Sequence, residues 1–419
     1  MKRVQIIVTS CNRRSLELEQ MKDFFRGNGY SVIGEDFEVS RHADLILHST
    51  CAFTTAAEDF AFETLDRIQQ QKKPSARVIV CGCLPEINPD RLSSVFDGET
   101  FGPRSYGRLN DIVNAEKKFE EFPRPNTLEI TRSLKTTVGK AKALVRSYDG
   151  SLQGLDYMRT RLRNYGARNA ISKLTGYERD RQFYIQIQEG CPCKCSYCVI
   201  RFAVKGLKSK PIDNVMSEFH RGLALGYRKF YFMGDCSGAY ALDIGENLGN
   251  LLKRVLEIDE AFSLHLTDIS PVHLHLCFEE MGMLCAGHKI TSLYVPIQSG
   301  NPRILKLMGR GCNMDRVKDM LLSLKNVDSL KIGTSIVVGF PSETREELND
   351  TIEFCEGVGF DWIYCHSFSA RPETVAAKLP GQLTPEEIVE RSRSVRSRLN
   401  DKTLITIAED TKGNRTCQG

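Results

Sequence analysis

Two successive α/β domains are what this sequence predicts: a doubly wound parallel sheet at the N-terminus, then a six-stranded partial (β/α) barrel. Three observations carry that prediction. Short apolar runs alternate with amphipathic helical stretches along most of the chain, the pattern of parallel sheets covered by helices. The alternation breaks over residues 122–181, which separates two such series. The length, 419 residues with 41% hydrophobic content, suffices for two or three domains with cores of their own.

In the first series (residues 1–121), Val4–Val8 reads as a strand and Leu16–Phe25 as an amphipathic helix. A weaker strand is expected at Ser31–Ile33 and a clear one at Ala43–Leu47, followed by a helix over Ala56–Gln70 and a strand at Arg77–Val80. In the second series (residues 182–380), strands are expected at Phe183–Gln188, Lys229–Met233, Ser263–Thr267, Ser292–Ile297, Lys331–Val338 and Trp362–Ser367. Helical patterns lie between them, such as Asp213–Leu225, Leu248–Leu256 and Glu346–Val358. Six strand–helix units in a row suggest a partial barrel. Residues 381–419 read as a Pro-rich stretch, one charged helix over Pro385–Leu399 and a polar tail.

The composition excludes disordered, collagen-like and small disulfide-scaffold classes. No apolar run approaches the ~20 residues of a membrane span, so no membrane partner is expected. Met1-Lys2-Arg3 followed by Val4–Val8 is too short and too quickly polar for a signal peptide, which points to a cytoplasmic protein. The net charge of +4 is unevenly spread. Residues 132–181 hold 12 basic and 4 acidic side chains, a local +8, and the rest of the chain sums to about −4. Tyr148, Tyr157, Tyr165 and Tyr177 interleave with those charges, which suits RNA through phosphate contacts and stacking. A solvated helical insertion has the same signature, and an acidic peptide or protein is a third possible partner for it.

The 15 cysteines carry more information. In a reducing compartment clustered cysteines point to metals, clusters or catalysis rather than disulfides. The strongest signal is Cys191-Pro-Cys-Lys-Cys195-Ser-Tyr-Cys198, a CxxxCxxC just after the first expected barrel strand. Thiolates are soft ligands that suit iron–sulfur clusters or zinc. Three at this spacing can hold three corners of a 4Fe-4S cubane and leave one iron open. A structural zinc site usually draws its remaining ligands from a second pair, and no CxxC partner exists here, although a zinc or merely structural cluster stays an alternative. Loops at the C-terminal ends of barrel strands also carry the chemistry in such folds. Cys193 lies inside the motif and is taken as a bystander.

Cys11, Cys51 and Cys83 form a second constellation, each just beyond the end of an expected strand, where an open parallel sheet gathers its ligands. A lone cysteine is usually a buried, unreactive hydrophobe. Spacing alone leaves that reading and a second cluster equally open.

The CxxxCxxC motif and its placement resemble the radical SAM superfamily. That resemblance implies a cluster whose open iron chelates S-adenosylmethionine, reductive cleavage to a 5′-deoxyadenosyl radical, and hydrogen abstraction from unactivated C–H bonds. Three further stretches sharpen it: Leu293-Tyr-Val-Pro-Ile-Gln-Ser-Gly-Asn-Pro-Arg-Ile-Leu-Lys-Leu-Met-Gly-Arg310, Val338-Gly-Phe-Pro-Ser-Glu-Thr344 and Phe368-Ser-Ala-Arg-Pro-Glu-Thr-Val-Ala-Ala377. With them the chain resembles the methylthiotransferase family of radical SAM enzymes, from the first strand to about residue 380. The resemblance implies a second 4Fe-4S cluster on Cys11, Cys51 and Cys83, and methylation of a sulfur associated with it. It also implies catalytic roles for all six cysteines, a C–S–CH3 product, and an electron donor such as flavodoxin or ferredoxin. Tyr197 matches an aromatic that packs near adenine. Asp235 and Ser237, in a loop resembling that of members that modify a ribosomal protein, join Gln298 as candidates for polar contacts to S-adenosylmethionine or substrate. Asp and Ser beside Gly are also common loop formers, and both readings stand. Lys210 falls where the family usually has arginine, and it cannot offer the bidentate fork of Arg to a carboxylate.

The chain departs from the family pattern at Arg14 and Glu17, where Asn and Asp are usual, and at Ser335, where an acidic residue is usual. After Leu399 only ~20 residues remain, too few for the small β-rich TRAM-type domain of the family. The expected substrate is therefore a peptide or protein residue, including a natural-product precursor peptide. The alternatives are a tRNA adenosine, or a radical SAM reaction in which the N-terminal cluster only transfers electrons.

Overall fold

The computed structural model describes residues 1–33, 38–128, 182–399 and 404–408. These divide into two units, residues 1–128 with Phe202–Val204, and residues 182–201 with 205–408. The basic stretch 132–181 lies outside the described residues.

The first unit is built on a five-stranded parallel sheet: β1 (Arg3–Val8), β2 (Ser31–Ile33), β3 (Leu45–Thr50), β4 (Arg77–Gly82) and β5 (Glu99–Phe101). Its spatial order is β2-β1-β3-β4-β5. The order reverses between β1 and β3, which makes that gap the topological switch point where doubly wound sheets bind ligands. All six residues of β3 are buried, as a central strand covered on both faces requires. The helix Thr55–Gln71 begins on Thr54, whose hydroxyl accepts the Ala57 N–H; such a cap contributes about 1 kcal/mol. Phe24, Phe25, Phe119 and Tyr106 fill the core from one side. β3 and β4 run three and two residues further than their apolar runs suggest, because Ser49 and Thr50 pair with Cys81 and Gly82. The short β5 carries too little pattern to be read from sequence.

The second unit holds β6 (Gln182–Gln186), a two-residue hairpin of β7 (Gln188–Glu189) with β8 (Lys208–Ser209), and then β9 (Lys229–Met233), β10 (Ser263–Leu266), β11 (Ile290–Tyr294), β12 (Lys331–Val338) and β13 (Trp362–Ser367). Except for the hairpin, these strands stand side by side in chain order, all parallel, the one-direction winding of a (β/α) barrel that stops short of closure. The six expected strands are all present. A seventh, β14 (Leu404–Ala408), pairs in parallel with β13, although residues 400–419 read as a polar tail. Leu-Ile-Thr-Ile-Ala is a strand-forming run, and β13 would otherwise present an unpaired edge. β11 starts two residues and ends three residues earlier than expected, and Pro296, which cannot donate to a ladder, accounts for the early end. The helix Leu248–Leu256 is capped by Asn247 and buries Leu248, Leu251, Leu252 and Val255. Phe219 stacks on Phe230 at 4.0 Å inside the same core. Among the described residues no helix is long and apolar enough to cross a membrane.

Candidate active site

In the first unit, parallel register delivers three thiols to one edge. Val8 pairs with Ser49, and Ser49 with Cys81, so the C-terminal ends of β1, β3 and β4 lie side by side. Cys11, Cys51 and Cys83 follow those ends by three, one and one residues. The Thr9 N–H donates to the Ser49 carbonyl at 2.8 Å, and the Cys83 N–H to the Thr50 carbonyl at 3.0 Å. Gly82 makes the second contact possible: its φ is +96°, and a Cβ there would lie 2.5 Å from the Thr50 oxygen. Thr9 Oγ1 and His48 Nε2 (3.0 Å) and Ser49 Oγ and Ser10 Oγ (2.9 Å) tie the two strand ends further. The Cys11 thiol is hydrogen-bonded to Cys51, and that bond together with burial raises its pKa well above the usual thiol range.

Arg14 and Glu17, the departures from the family pattern, are coupled beneath this edge. Arg14 Nη1 donates to Glu17 Oε1 at 2.8 Å, and the Tyr106 hydroxyl donates to Glu17 Oε2 at 2.7 Å. Both charged side chains are buried. The swap from Asn and Asp is thus a paired replacement, with the Glu17 carboxylate held by two donors as burial demands. Cys81 is a core residue of β4, its pKa raised by burial.

In the second unit, the 191–198 loop follows β7, just beyond β6, and is pinned by the stretches that carry the family resemblance. The Ser196 N–H donates to the Met308 carbonyl, and the Ala376 N–H to the Ser196 carbonyl, both at 2.9 Å. Gly309, at φ +69°, approaches so closely that a Cβ would lie 2.9 Å from the Lys194 oxygen. Arg310 reaches Cys195 Sγ at 3.6 Å, Ser270 Oγ at 3.1 Å and the Pro296 carbonyl at 2.8 Å. Tyr197 packs edge-on against Phe340.

The remaining expected contacts sort by what they touch. Asp235 Oδ2 accepts the Gly190 N–H at 2.7 Å, so this carboxylate fixes the turn entering the motif. Lys210 is ion-paired with Glu218 at 2.5 Å. Gln298 sits at φ +68° and donates from Nε2 to Ser335 Oγ at 3.2 Å, while its Oε1 is buried without a partner among the described residues. The Ser237 hydroxyl is fully buried and likewise unpartnered, and so are both amide atoms of Gln188, which sequence reading missed. A Cβ on Gly234 would lie 2.6 Å from Gln188 Nε2. Buried polar groups left unpaired cost about 1–3 kcal/mol each. A polar ligand that reached those atoms would relieve that cost, and the soft thiol donors of the motif suit iron; in donor chemistry the residues fit a cluster with S-adenosylmethionine.

The thiols that actually converge here are Cys191, Cys193 and Cys236, with sulfurs all within 4.8 Å of one another. Cys195, by contrast, is engaged by Arg310. Within the trio the Cys193 thiol is drawn down to about 4 by hydrogen bonds from Cys191 and Cys236, while Cys191 is pushed up to about 11 by its bond to Cys193. Cys236 follows the end of β9 by three residues, as Cys11 follows β1, so the strand-end rule applied to β9 would have found it.

Residues 3–101 match the uncharacterized protein family UPF0004, and residues 185–355 match the radical SAM superfamily. The ribosomal protein uS12 methylthiotransferase RimO of Protochlamydia amoebophila is 27% identical over 390 residues, 92% of this chain and 73% of that protein. The threonylcarbamoyladenosine tRNA methylthiotransferase MtaB of Thermotoga maritima is 25% identical, covering 96% and 83%. The tRNA-2-methylthio-N(6)-dimethylallyladenosine synthase of Pelotomaculum thermopropionicum is 25% identical, covering 99% and 85%. In fold, the chain resembles the radical S-adenosylmethionine methyltransferase TsrM of Kitasatospora setae, with a TM-score of 0.56 at 15% identity over 90% of this chain and 74% of that one. Enzymes of this kind use two 4Fe-4S clusters and S-adenosylmethionine, and with both domains present in this order the chain belongs to the radical SAM methylthiotransferase family.

Proposed function

We propose that this enzyme replaces a hydrogen on an unactivated carbon of a polypeptide residue with a methylthio group. The observation that carries the reading is the presence of two thiol sets, one spread over three strand ends of the N-terminal parallel sheet and one in the single loop after the first strands of the barrel unit. Cys11, Cys51 and Cys83 would hold the auxiliary cluster, and Cys191, Cys195 and Cys198 the radical SAM cluster. When bound, these groups and S-adenosylmethionine supply the hydrogen-abstracting radical and the sulfur that is methylated and transferred.

The chain's own residues bind, orient and exclude water. Arg310 and Gly309 clamp the motif loop, and Asp235 sets its entry turn. Ser237 Oγ, Gln298 Oε1 and the Gln188 amide are the desolvated dipoles available to the polar groups of S-adenosylmethionine. Tyr197 gives the loop an aromatic wall against Phe340.

The polypeptide assignment is supported by the loop Gly234–Tyr240, which resembles that of ribosomal-protein-modifying members, and by the uS12-modifying relative. A tRNA adenosine is the second reading, favoured by the tRNA-modifying relatives and by the +8 of residues 132–181. The test is anaerobic incubation with S-adenosylmethionine, dithionite and sulfide, with either uS12 or bulk tRNA as acceptor. Formation of 5′-deoxyadenosine with methylthiolated polypeptide is the expected result. Methylthio-tRNA alone moves the assignment to the second reading. Adenosyl cleavage without any methylated sulfur overturns methylthio transfer and leaves the N-terminal cluster as an electron carrier.

A further inference from the structure

The convergence of Cys191, Cys193 and Cys236 has a geometry of its own. A tetrahedral ion with metal–sulfur bonds of ~2.3 Å spaces its thiolates ~3.8 Å apart. Sulfurs on separate corners of a cubane stand farther apart, because each binds a different iron. The three sulfurs here lie within 4.8 Å of one another, on the scale of a single ion. The Cys193 N–H donates to Cys191 Sγ at 3.4 Å, which aims that sulfur inward. Cys236 is buried in the turn after β9, where one face of the group is closed to water.

A fourth donor stands at the edge of the group. His273 Nδ1 lies 3.9 Å from Cys236 Sγ and outside the mutual 4.8 Å spacing of the three sulfurs, so an approach of the ring would complete the tetrahedron. Gly238 permits that approach, since even a methyl there would lie 3.2 Å from the His273 Cβ. Three thiolates and an imidazole form a donor set that zinc favours over harder cations.

We propose that Cys191, Cys193, Cys236 and His273 form a binding site for a single zinc-class divalent ion, which uses Cys191 and so excludes a cluster from the CxxxCxxC motif while it is bound. The ion site stands on the sulfur geometry alone. The exclusion rests on the reading that Cys191 is a cluster ligand. Binding releases the thiol protons and involves no change of oxidation state.

Cobalt(II) is the probe, added anaerobically to reduced, iron-free full-length protein in which Cys11, Cys51 and Cys83 are serine. The expected result is one equivalent bound, with the visible absorption of a tetrahedral site and thiolate charge-transfer bands. Loss of an outer-sphere partner alone costs metal sites ~10–100-fold in affinity, so Cys193→Ser and Cys236→Ser should each weaken binding by more than about 100-fold. His273→Ala should shift the visible bands, and Cys195→Ser with Cys198→Ser should leave the spectrum unchanged. Circular dichroism confirms that each variant is folded. Cobalt binding that depends on Cys195 and Cys198 and ignores Cys193 and Cys236 overturns the ion site. Iron reconstitution of the same variants tests the cluster reading separately: iron should be lost with Cys195 and Cys198 and kept without Cys193 or Cys236. Zinc loaded first should abolish iron uptake at this motif, and a chelator should restore it; uptake unaffected by bound zinc overturns the exclusion.

Discussion

The two cysteine sets are placed by different kinds of structure. In the N-terminal unit, each thiol stands one to three residues beyond its own strand, and ladder pairing fixes the three strand ends together. In the barrel unit, four cysteines crowd into the eight residues 191–198 of one loop, and a fifth arrives from the next strand. A strand end offers a thiol few alternative neighbours, whereas a cysteine-rich loop offers several. The N-terminal set therefore reads as one site. For the barrel set two overlapping groupings are proposed, the cluster ligands and the ion ligands, which share Cys191.

Iron content breaks or sharpens that contrast with the largest effect. Reconstituted protein should carry about eight irons, from two four-iron clusters. Changing Cys11, Cys51 and Cys83 to serine should leave about four, with reductive cleavage of S-adenosylmethionine intact and methylthiolation abolished. Changing Cys191, Cys195 and Cys198 should also leave about four, but with cleavage gone. Full iron in either triple variant removes that set from the assignment.

The same contrast explains what could be read from the sequence. The placement of Cys11, Cys51 and Cys83 at one sheet edge was legible because apolar runs mark strand ends, and a parallel sheet turns strand ends into neighbours. Lys229–Met233, Lys331–Val338 and Trp362–Ser367 form at their expected bounds, since buried parallel strands are continuous apolar runs with little ambiguity. Cys236 stands just beyond an expected strand end and could have been singled out by that rule, but spacing alone does not join it to Cys193, because 43 positions separate them and only the pairing of β6 with β9 brings the two loops together. The hydrogen-bonding roles of Asp235 and Lys210 depend on which backbone N–H or carboxylate lies opposite, and no local pattern encodes that. Residues 404–408 were missed because a lone five-residue run gains its meaning from the open edge of β13.

Two glycines test whether backbone approach holds each set. Gly82 in the first unit and Gly309 in the second both have left-handed φ and both press on a carbonyl next to the proposed ligands. Alanine at either position forces a strained conformation at about 1–3 kcal/mol and pushes a methyl against backbone oxygen. Gly82→Ala should lower the N-terminal share of the iron and leave cleavage of S-adenosylmethionine intact; Gly309→Ala should do the reverse. Equal losses of iron from both sites in either variant would mean that the glycines act on global folding and do not hold the thiols in place.

The smallest effect is a shared dependence on acid. His48 in β3 and His265 in β10 are both buried, and burial holds each neutral with its pKa down to about 3, helped by Arg67 and Lys229 respectively. His48 Nε2 is bonded to Thr9 Oγ1, and His265 stacks on Tyr231 at 4.1 Å. In the unfolded chain each would titrate near 6.5. Between about pH 3 and 6.5 the unfolded state therefore binds a proton that the folded state refuses, so stability falls as pH drops through that window. One unit below 6.5 the loss is about 1 kcal/mol per histidine. Hydrogen exchange in β3 and β10, corrected for its intrinsic pH dependence, reports the two units separately. His48→Gln should blunt the acid sensitivity of β3 alone, and His265→Gln that of β10 alone. Loss of both sensitivities in one variant would show that the two units open together, and an unchanged profile in each would assign the acid sensitivity to other groups.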